Sequence, residues 1–268
     1  MEQAANNKAT PMNASADHND ALFRYLLRLG DTSHILCHRL GEWCGHGPIM
    51  EEDIALTNVA LDLIGQARLF YQYAGEVEGK GRSEDDLAFL RPERDFNNLL
   101  LVEQPNGDYA KTMARQFLFD AWNLLLFRAL ERSTDARIAE IAAKAVKEIT
   151  YHRRHSSGWV IRMGDGTDES RTRMVAAFEQ LMGFTAEFFH MDDVDRQMAA
   201  AGIGPDLETL RAPWMADVEA VLAEATLDWP TATWSVLGGR HEGRHTEHLG
   251  YLLAEMQSMQ RQFPGLNW

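Results

Sequence analysis

The residues of this chain best suited to chemistry are carboxylates and histidines set on long amphipathic helices. A carboxylate and an imidazole three residues apart share one helix face. Two such Glu-x-x-His pairs, with one further Glu from each of two other helices, can hold two irons in a bundle core. Hard anionic donors that shift and bridge suit oxygen-activating iron, and imidazole completes each metal. The first four long helices of this sequence contain no intact Glu-x-x-His. The nearest approaches are Asp62 with Gly65 or Gln66, and Glu148 with Tyr151 or His152. A true Glu-x-x-His, Glu242–His245, lies in GGRHEGRHTEHLG, where His241, His245 and His248 share helical spacing. Zinc uses such ligands. However, Gly238, Gly239 and Gly243 make the segment loop-like and no second ligand group is evident. It reads as a solvated helix start or a partner contact. YHRRHSSGW (151–159) is basic within an acidic protein, so His152, Arg153, Arg154 and Trp159 form either a solvated face or an interface with another protein chain. GEVEGKG (75–81) fails as a phosphate loop, because three residues separate its first glycines and a helix precedes it. No dinucleotide fingerprint follows a strand, and no serine hydrolase motif is present.

The elements that must position these groups are helices. Residues 1–18 read as a polar, disordered tail, and residues 19–268 as a single helical domain. A first helix starts at Asp20 as N-cap and places Leu22, Leu26, Leu29, Leu36 and Leu40 at helical spacing. GHGP stops it, and Glu51, Glu52 and Asp53 suit the first turn of a second helix that runs to Gly75. Residues 76–106 are turn-rich, with a short helix around EDDLAFL. Asp108 caps a third helix through Arg132, and a fourth runs from about Arg137 to Met163. A fifth spans roughly 168–190, a weaker one lies within 206–225, and a last one covers about 245–263. No period-two strand pattern stands out. Two helical hairpins joined by one long connection predict an all-α, ferritin-like four-helix bundle with additional C-terminal helices.

Composition narrows the function classes. The 268 residues carry 40 acidic against 26 basic side chains, a net charge of −14, which argues against a general nucleic-acid binder. No apolar run reaches the roughly 18–20 residues of a membrane span, and the N-terminus lacks the apolar centre of a signal peptide. A cytoplasmic protein is expected. Cys37 and Cys44, seven apart on one helix, stand about 10 Å apart, too far for a disulfide.

LRLGD, LGEWCGHGP, LDLIGQARL, LVEQPNGD, RQFLFDAW, KEITYHRRHS and HTEHLGYLLAEMQ together resemble the C subunits of phenylacetyl-CoA epoxidases (phenylacetate-CoA oxygenases). The blocks are spread over nearly the whole chain. The resemblance implies a multicomponent bacterial oxygenase that epoxidises the ring of phenylacetyl-CoA. A paralogous A subunit of the same fold carries the di-iron site there, and the C subunit is its structural partner. The complex also contains an NADPH-dependent reductase and a further small subunit. The catalytic subunit's ligand positions then fall on Glu42, Leu63, Gln66, Asp120, Ile149 and His152 of this chain. Two ligand carboxylates become Leu63 and Ile149, which cannot donate to a metal, and one ligand histidine becomes Gln66. Hairpin arithmetic keeps Asp120 level with 148–152, but sets Leu63 level with Asp31 rather than Glu42. Asp31 therefore competes with Glu42 as the polar residue of the first helix.

The expected reading is a non-catalytic subunit with no metal or cofactor of its own, docked on a di-iron partner and independent of nucleic acid and membrane. Its polar remnant, Glu42, Gln66, Asp120 and His152, needs hydrogen bonds or a cation such as Arg39, Arg68 or Arg153. Two rivals stand beside it. One is an oxygenase in its own right, using Glu42, Asp62, Asp120, Glu148 and His152. The other is a stand-alone helical adaptor.

Overall fold

The computed structural model describes residues 11–266, with side chains placed from residue 17 onward. The first helix, α1 (Pro11–Gly41), begins nine residues before Asp20. Residues 11–18 are thus helical rather than part of a polar tail, and residues 1–10 lie outside the described residues. The early start has a local cause. Pro at the first helical position gives up an N–H that has no intrahelical partner, and PMNASADHND contains no β-branched residue. Arg39 in the last turn suits the negative end of the helix dipole. The turn that follows needs Gly45 at φ 79 and Gly47, where a Cβ would lie 2.7 Å from the Asp53 side chain. The Gly47 N–H donates to Asp53 Oδ2 at 2.9 Å, which fixes the entry into α2 (Met50–Glu78).

The connection over 79–108 carries one short helix, α3 (Glu84–Phe89), closed by a Ser83–Asp86 capping box. Asp108 caps α4 (Tyr109–Leu130) by accepting from the Lys111 N–H, as its position in the sequence predicts. Apolar residues surround α4 on nearly every side, and the helix is correspondingly buried. Asp135 caps α5 (Ala136–Gly164) through the N–H groups of Arg137 and Ile138. The fifth helix, α6 (Asp168–Leu181), stops short of 190 and tightens into a 3-10 stretch over Met182–Phe188. Gly183 explains the change: the Trp234 ring lies where a Cβ would be, 2.2 Å from Cε3. Then come α7 (Asp193–Ala200), α8 (Arg211–Glu224), α9 (Gly239–Glu242), α10 (Glu247–Met256) and α11 (Ser258–Gln262). The last expected helix is divided at Gln257 into α10 and α11, and the buried Gln257 side-chain amide donates to the carbonyls of Ala88 and Arg91.

The hairpins α1–α2 and α4–α5 pack along their lengths, and α2 meets α5 to close the ferritin-like four-helix bundle. α6 and α8 cover α4 and α5, and α7 lies on α1. Leu26, Phe70, Phe117, Leu118 and Phe127 fill the interior. Each large apolar side chain fully removed from water contributes roughly 1.5–3 kcal/mol. Among the described residues there is no strand, and no helix is long and apolar enough to cross a membrane.

Buried carboxylates tie the irregular segments to this bundle. Asp31 of α1 accepts from the Tyr71 hydroxyl at 2.6 Å, from the Asn97 N–H at 2.7 Å and from the Arg91 guanidinium. Glu187 accepts from the N–H groups of Leu100, Gly238 and Arg240. Glu103 takes the Thr246 N–H at 2.6 Å, the Asn98 amide and the His245 ring. Replacing Asp31 with Ala strips the buried Arg91 of its counter-charge. The expected cost is about 3–5 kcal/mol, read as a lower urea midpoint.

Candidate functional site

Three helices bring the degenerate positions together. Leu63 on α2 and Ile149 on α5 are fully buried in the bundle interior, where they pack as core. The polar groups beside them pair across the two helices. Asp62 Oδ2 lies 2.9 Å from His152 Nε2, and the Gln66 amide donates to Glu148 Oε2 at 3.1 Å. Asp120 on α4 is buried and accepts from Ser156 Oγ at 2.8 Å. Burial pushes its carboxyl up to about 6, against smaller opposing pulls from His152, the Ser156 hydroxyl, Arg153 and Arg115.

Glu42 does not join them. It lies past the end of α1, its side chain 42% exposed, bonded to Arg39 and Asn106. Asp31 is the buried carboxylate of α1, yet it sits beside Tyr71, eight residues or about 12 Å along α2 from Leu63. The hairpin register is therefore set by Gly30 against Tyr71 and Phe70, and the level assigned to Asp31 from the turn position is displaced by the 42–49 connection. Of the three candidate arginines, Arg39 pairs with Glu42 at 2.7 Å and also binds the carbonyls of Glu103 and His248, whereas Arg68 reaches the rim residue Glu84 and Arg153 pairs with Asp217 on α8. The donor set does not fit two irons: Leu63 and Ile149 are hydrocarbon, Asp62 and Glu148 are engaged by His152 and Gln66, and Glu42 stands apart.

The second histidine cluster is also internal, which corrects its reading as surface. His245 spends both ring nitrogens, Nδ1 on Glu103 at 2.9 Å and Nε2 on the Phe96 carbonyl at 3.0 Å. Burial opposes its imidazolium, but Glu103 and the carbonyl outweigh that, so His245 titrates above its usual value. With no free nitrogen it holds no zinc, and Glu242 turns outward to Arg244. His241 is bonded to Asp195, and His248 is half-buried. His152 is interior as well, Arg153 is tied to Asp217, and Trp159 is half-buried with its edge against Tyr109. Of the contact candidates in 151–159, Arg154 is the one fully at the surface.

Among the described residues, only Asp192, Asp195 and His241 gather three ligand atoms within 4.8 Å of one another. Two guanidinium groups already serve these carboxylates: Arg28 bridges Asp192 and Asp195, and Arg240 binds Asp195 at 2.8 Å. Burial works against the Asp195 anion, yet Arg240, His241 and Arg28 hold it well below the usual carboxylate range. This is an ion-pair knot that fastens α7 and α9 to α1.

With the emptied bundle core in view, the relationship to known proteins is direct. The sequence matches the Phenylacetic acid catabolic protein family over residues 2–268. The chain belongs to that family. It is also 53% identical to the C subunit of the 1,2-phenylacetyl-CoA epoxidase of Escherichia coli (strain K12) over 247 residues, covering 92% of this chain and 99% of that protein. Sequence pattern alone does not single out Tyr71, Arg91, Glu103, Glu187 or Asp195 in this family member, because nothing in their neighbours marks them as buried. His34 and His38 also escape it, although their four-residue spacing on α1 is a readable signal.

The raised Asp120 gives this protein a defined pH dependence. Its folded carboxyl titrates near 6 and its unfolded one near 3.8, so the native state holds the extra proton between those values. Stability is therefore lost as pH rises from about 4 to 6, by roughly 3 kcal/mol at most. Asp120→Asn is expected to stabilise the chain above about pH 7, with the gain shrinking toward pH 4, as followed by urea unfolding at several pH values.

Proposed function

We propose that this chain is a non-catalytic, structural subunit of a multicomponent di-iron oxygenase. In this reading it docks onto and stabilises a paralogous catalytic bundle that holds the irons and epoxidises the ring of phenylacetyl-CoA. The cytoplasmic assembly also includes an NADPH-dependent reductase and a small subunit. The similarity to the C subunit of an epoxidase supports membership of such a complex. The observation that carries the non-catalytic role is the burial of Leu63 and Ile149 at ligand positions, with the adjacent acids bonded to His152 and Gln66. A chain that binds no di-iron still retains a rigid bundle, and the hydrocarbon at its centre adds packing where carboxylates would add desolvation cost.

The outer face of α2 and α5 supplies a surface suited to docking. Met50, Ile54 and Leu61 run along α2 at helical spacing, 72%, 53% and 62% exposed, and Tyr151 of α5 is 50% exposed. Contiguous exposed apolar side chains on a bundle mark a contact surface. The flanking charges are unevenly distributed. The start of α2 carries Glu51 and Asp53, whereas α5 exposes Lys144, Lys147 and Arg154 with Glu140 at its far end, and α2 exposes Arg68. Such a pattern favours one docking orientation over its reverse. This surface also weighs against a stand-alone adaptor that works without a second bundle.

Two measurements test the proposal. Mixing the purified chain with its separately produced Glu-x-x-His paralogue should give a complex at micromolar concentration. Leu61→Arg together with Tyr151→Glu should weaken that complex at least tenfold while leaving the circular dichroism unchanged. Iron analysis of the chain expressed alone should find far less than two irons per chain. A stoichiometry near two, or no complex with the paralogue, would overturn the assignment.

A further inference from the structure

Away from the emptied core, α1 carries two imidazoles that no part of the proposed function uses. His34 and His38 lie one turn apart, and their Nε2 atoms face each other at 3.1 Å. Two ligands each about 2.0–2.1 Å from a common ion, at angles between square and tetrahedral, stand roughly 3.0–3.4 Å apart. The pair thus already has the separation of two adjacent metal ligands. We propose that His34 and His38 form a clasp for one divalent transition-metal ion of the zinc, copper or nickel class.

The surrounding hydrogen bonds orient the clasp. Asp31 is bound to the Arg91 guanidinium and has no proton to give, so the Tyr71 hydroxyl donates its proton to Asp31 at 2.6 Å. The Tyr71 oxygen therefore accepts from His34 Nδ1, 3.2 Å away. That fixes His34 as the Nδ1–H tautomer and leaves the Nε2 lone pair directed at His38. A ring nitrogen anchored on a hydroxyl–carboxylate relay while the other faces outward is the supporting arrangement that metal-binding histidines use. Without an ion, His38 donates its Nε2–H into that lone pair. With an ion, the His38 proton moves to Nδ1 and both Nε2 atoms become donors, so no proton is released. Burial holds both rings neutral: His34 lies well below the ordinary imidazole range, and His38 is lowered to about 4. Protons do not compete for the site near neutrality.

A cleft reaches the His34 side of the clasp, but His34 is itself fully buried, so an ion would enter through movement of the cleft wall. This cleft of about 300 Å³ lies between α1, α2 and α3, with His34, Ile64, Tyr71 and Phe89 in its walls. Arg68 and Glu84 pair on the rim of the same cleft, and the exposed Asp85 beside them leaves it an acidic mouth. Ile64 turns toward this cleft while its neighbour Leu63 turns into the bundle, so the clasp and the emptied core are distinct places.

The test uses the full chain stripped of metal and titrated with Zn²⁺ in a non-chelating buffer. One equivalent should bind. Copper loaded at the same stoichiometry should give an electron paramagnetic resonance spectrum with two imidazole nitrogens. His38→Ala should abolish that binding, and Tyr71→Phe, which frees the His34 tautomer, should weaken it about 10- to 100-fold. His241→Ala should leave it unchanged, because the Asp192–Asp195–His241 knot is not the site. The inference fails if the wild-type chain binds no ion, if His38→Ala binds as well as wild type, or if loss follows His241→Ala instead. The copper spectrum stands independently of any variant's folding: fewer than two nitrogen donors overturns the clasp.

Discussion

A carboxylate taken out of water must be given donors, and that constraint decides where the irregular parts of this chain run. Asp31, Glu103, Glu187 and Asp195 are all essentially without exposure, and each gathers backbone N–H groups, guanidinium groups or imidazoles from distant segments. The bundle alone satisfies its helical backbone internally. The crossover and the C-terminal segments are irregular, and buried acids meet part of their backbone: Asp31 from α1, Glu103 from within the crossover and Glu187 from the 3-10 stretch after α6. Acidic residues placed in this way act as fasteners. They account for part of a composition that is otherwise rich in solvated charge.

The emptied core follows the opposite logic. Where ion pairs at the periphery are each matched by several donors, the centre of the bundle avoids charge. Leu63 and Ile149 occupy positions that a metal would otherwise balance, and the neighbouring Asp62 and Glu148 swing to the α2–α5 seam to meet His152 and Gln66. Asp120 is the exception, an acid left in the interior with Ser156 as its one hydrogen-bond donor, and its raised titration reflects that imbalance. The interior between α2, α4 and α5 is thus held chiefly by hydrocarbon packing, with Asp62 and Glu148 at its seam.

What the sequence made legible divides along the same line. Helical periodicity and the acids at Asp108 and 51–53 located the four bundle helices, because these features act within one turn of the chain. The placing of Leu63 and Ile149 in the interior was equally legible, since both are apolar residues within amphipathic helices. The depth of His241 and His245 was not legible. Glycines and charges around them read as a solvated loop, and only Asp195 and Glu103, dozens of residues away, draw them inward. Likewise the end of α6 depends on Trp234 lying over Gly183, a contact with no local trace. Register between α1 and α2 failed for a related reason: counting from a turn assumes the turn's shape, and the close approach of Gly30 to Tyr71 sets it instead.

The fastening of the crossover has a consequence for how the chain is born. Both hairpins are built from neighbours in sequence and can begin to form as they leave the ribosome, because local contacts close small loops. Residues 98–103 cannot settle at that stage. Glu103 awaits His245 and Thr246, and the acid that receives the Leu100 N–H, Glu187, also awaits Gly238 and Arg240. The middle of the molecule is thus completed by residues made long after it, His245 following Glu103 by 142 positions. Until they emerge, a nascent bundle holds partly unmet acids and a loose connection, which makes the emergence of residues 238–246 the step that turns two hairpins into one cooperative unit.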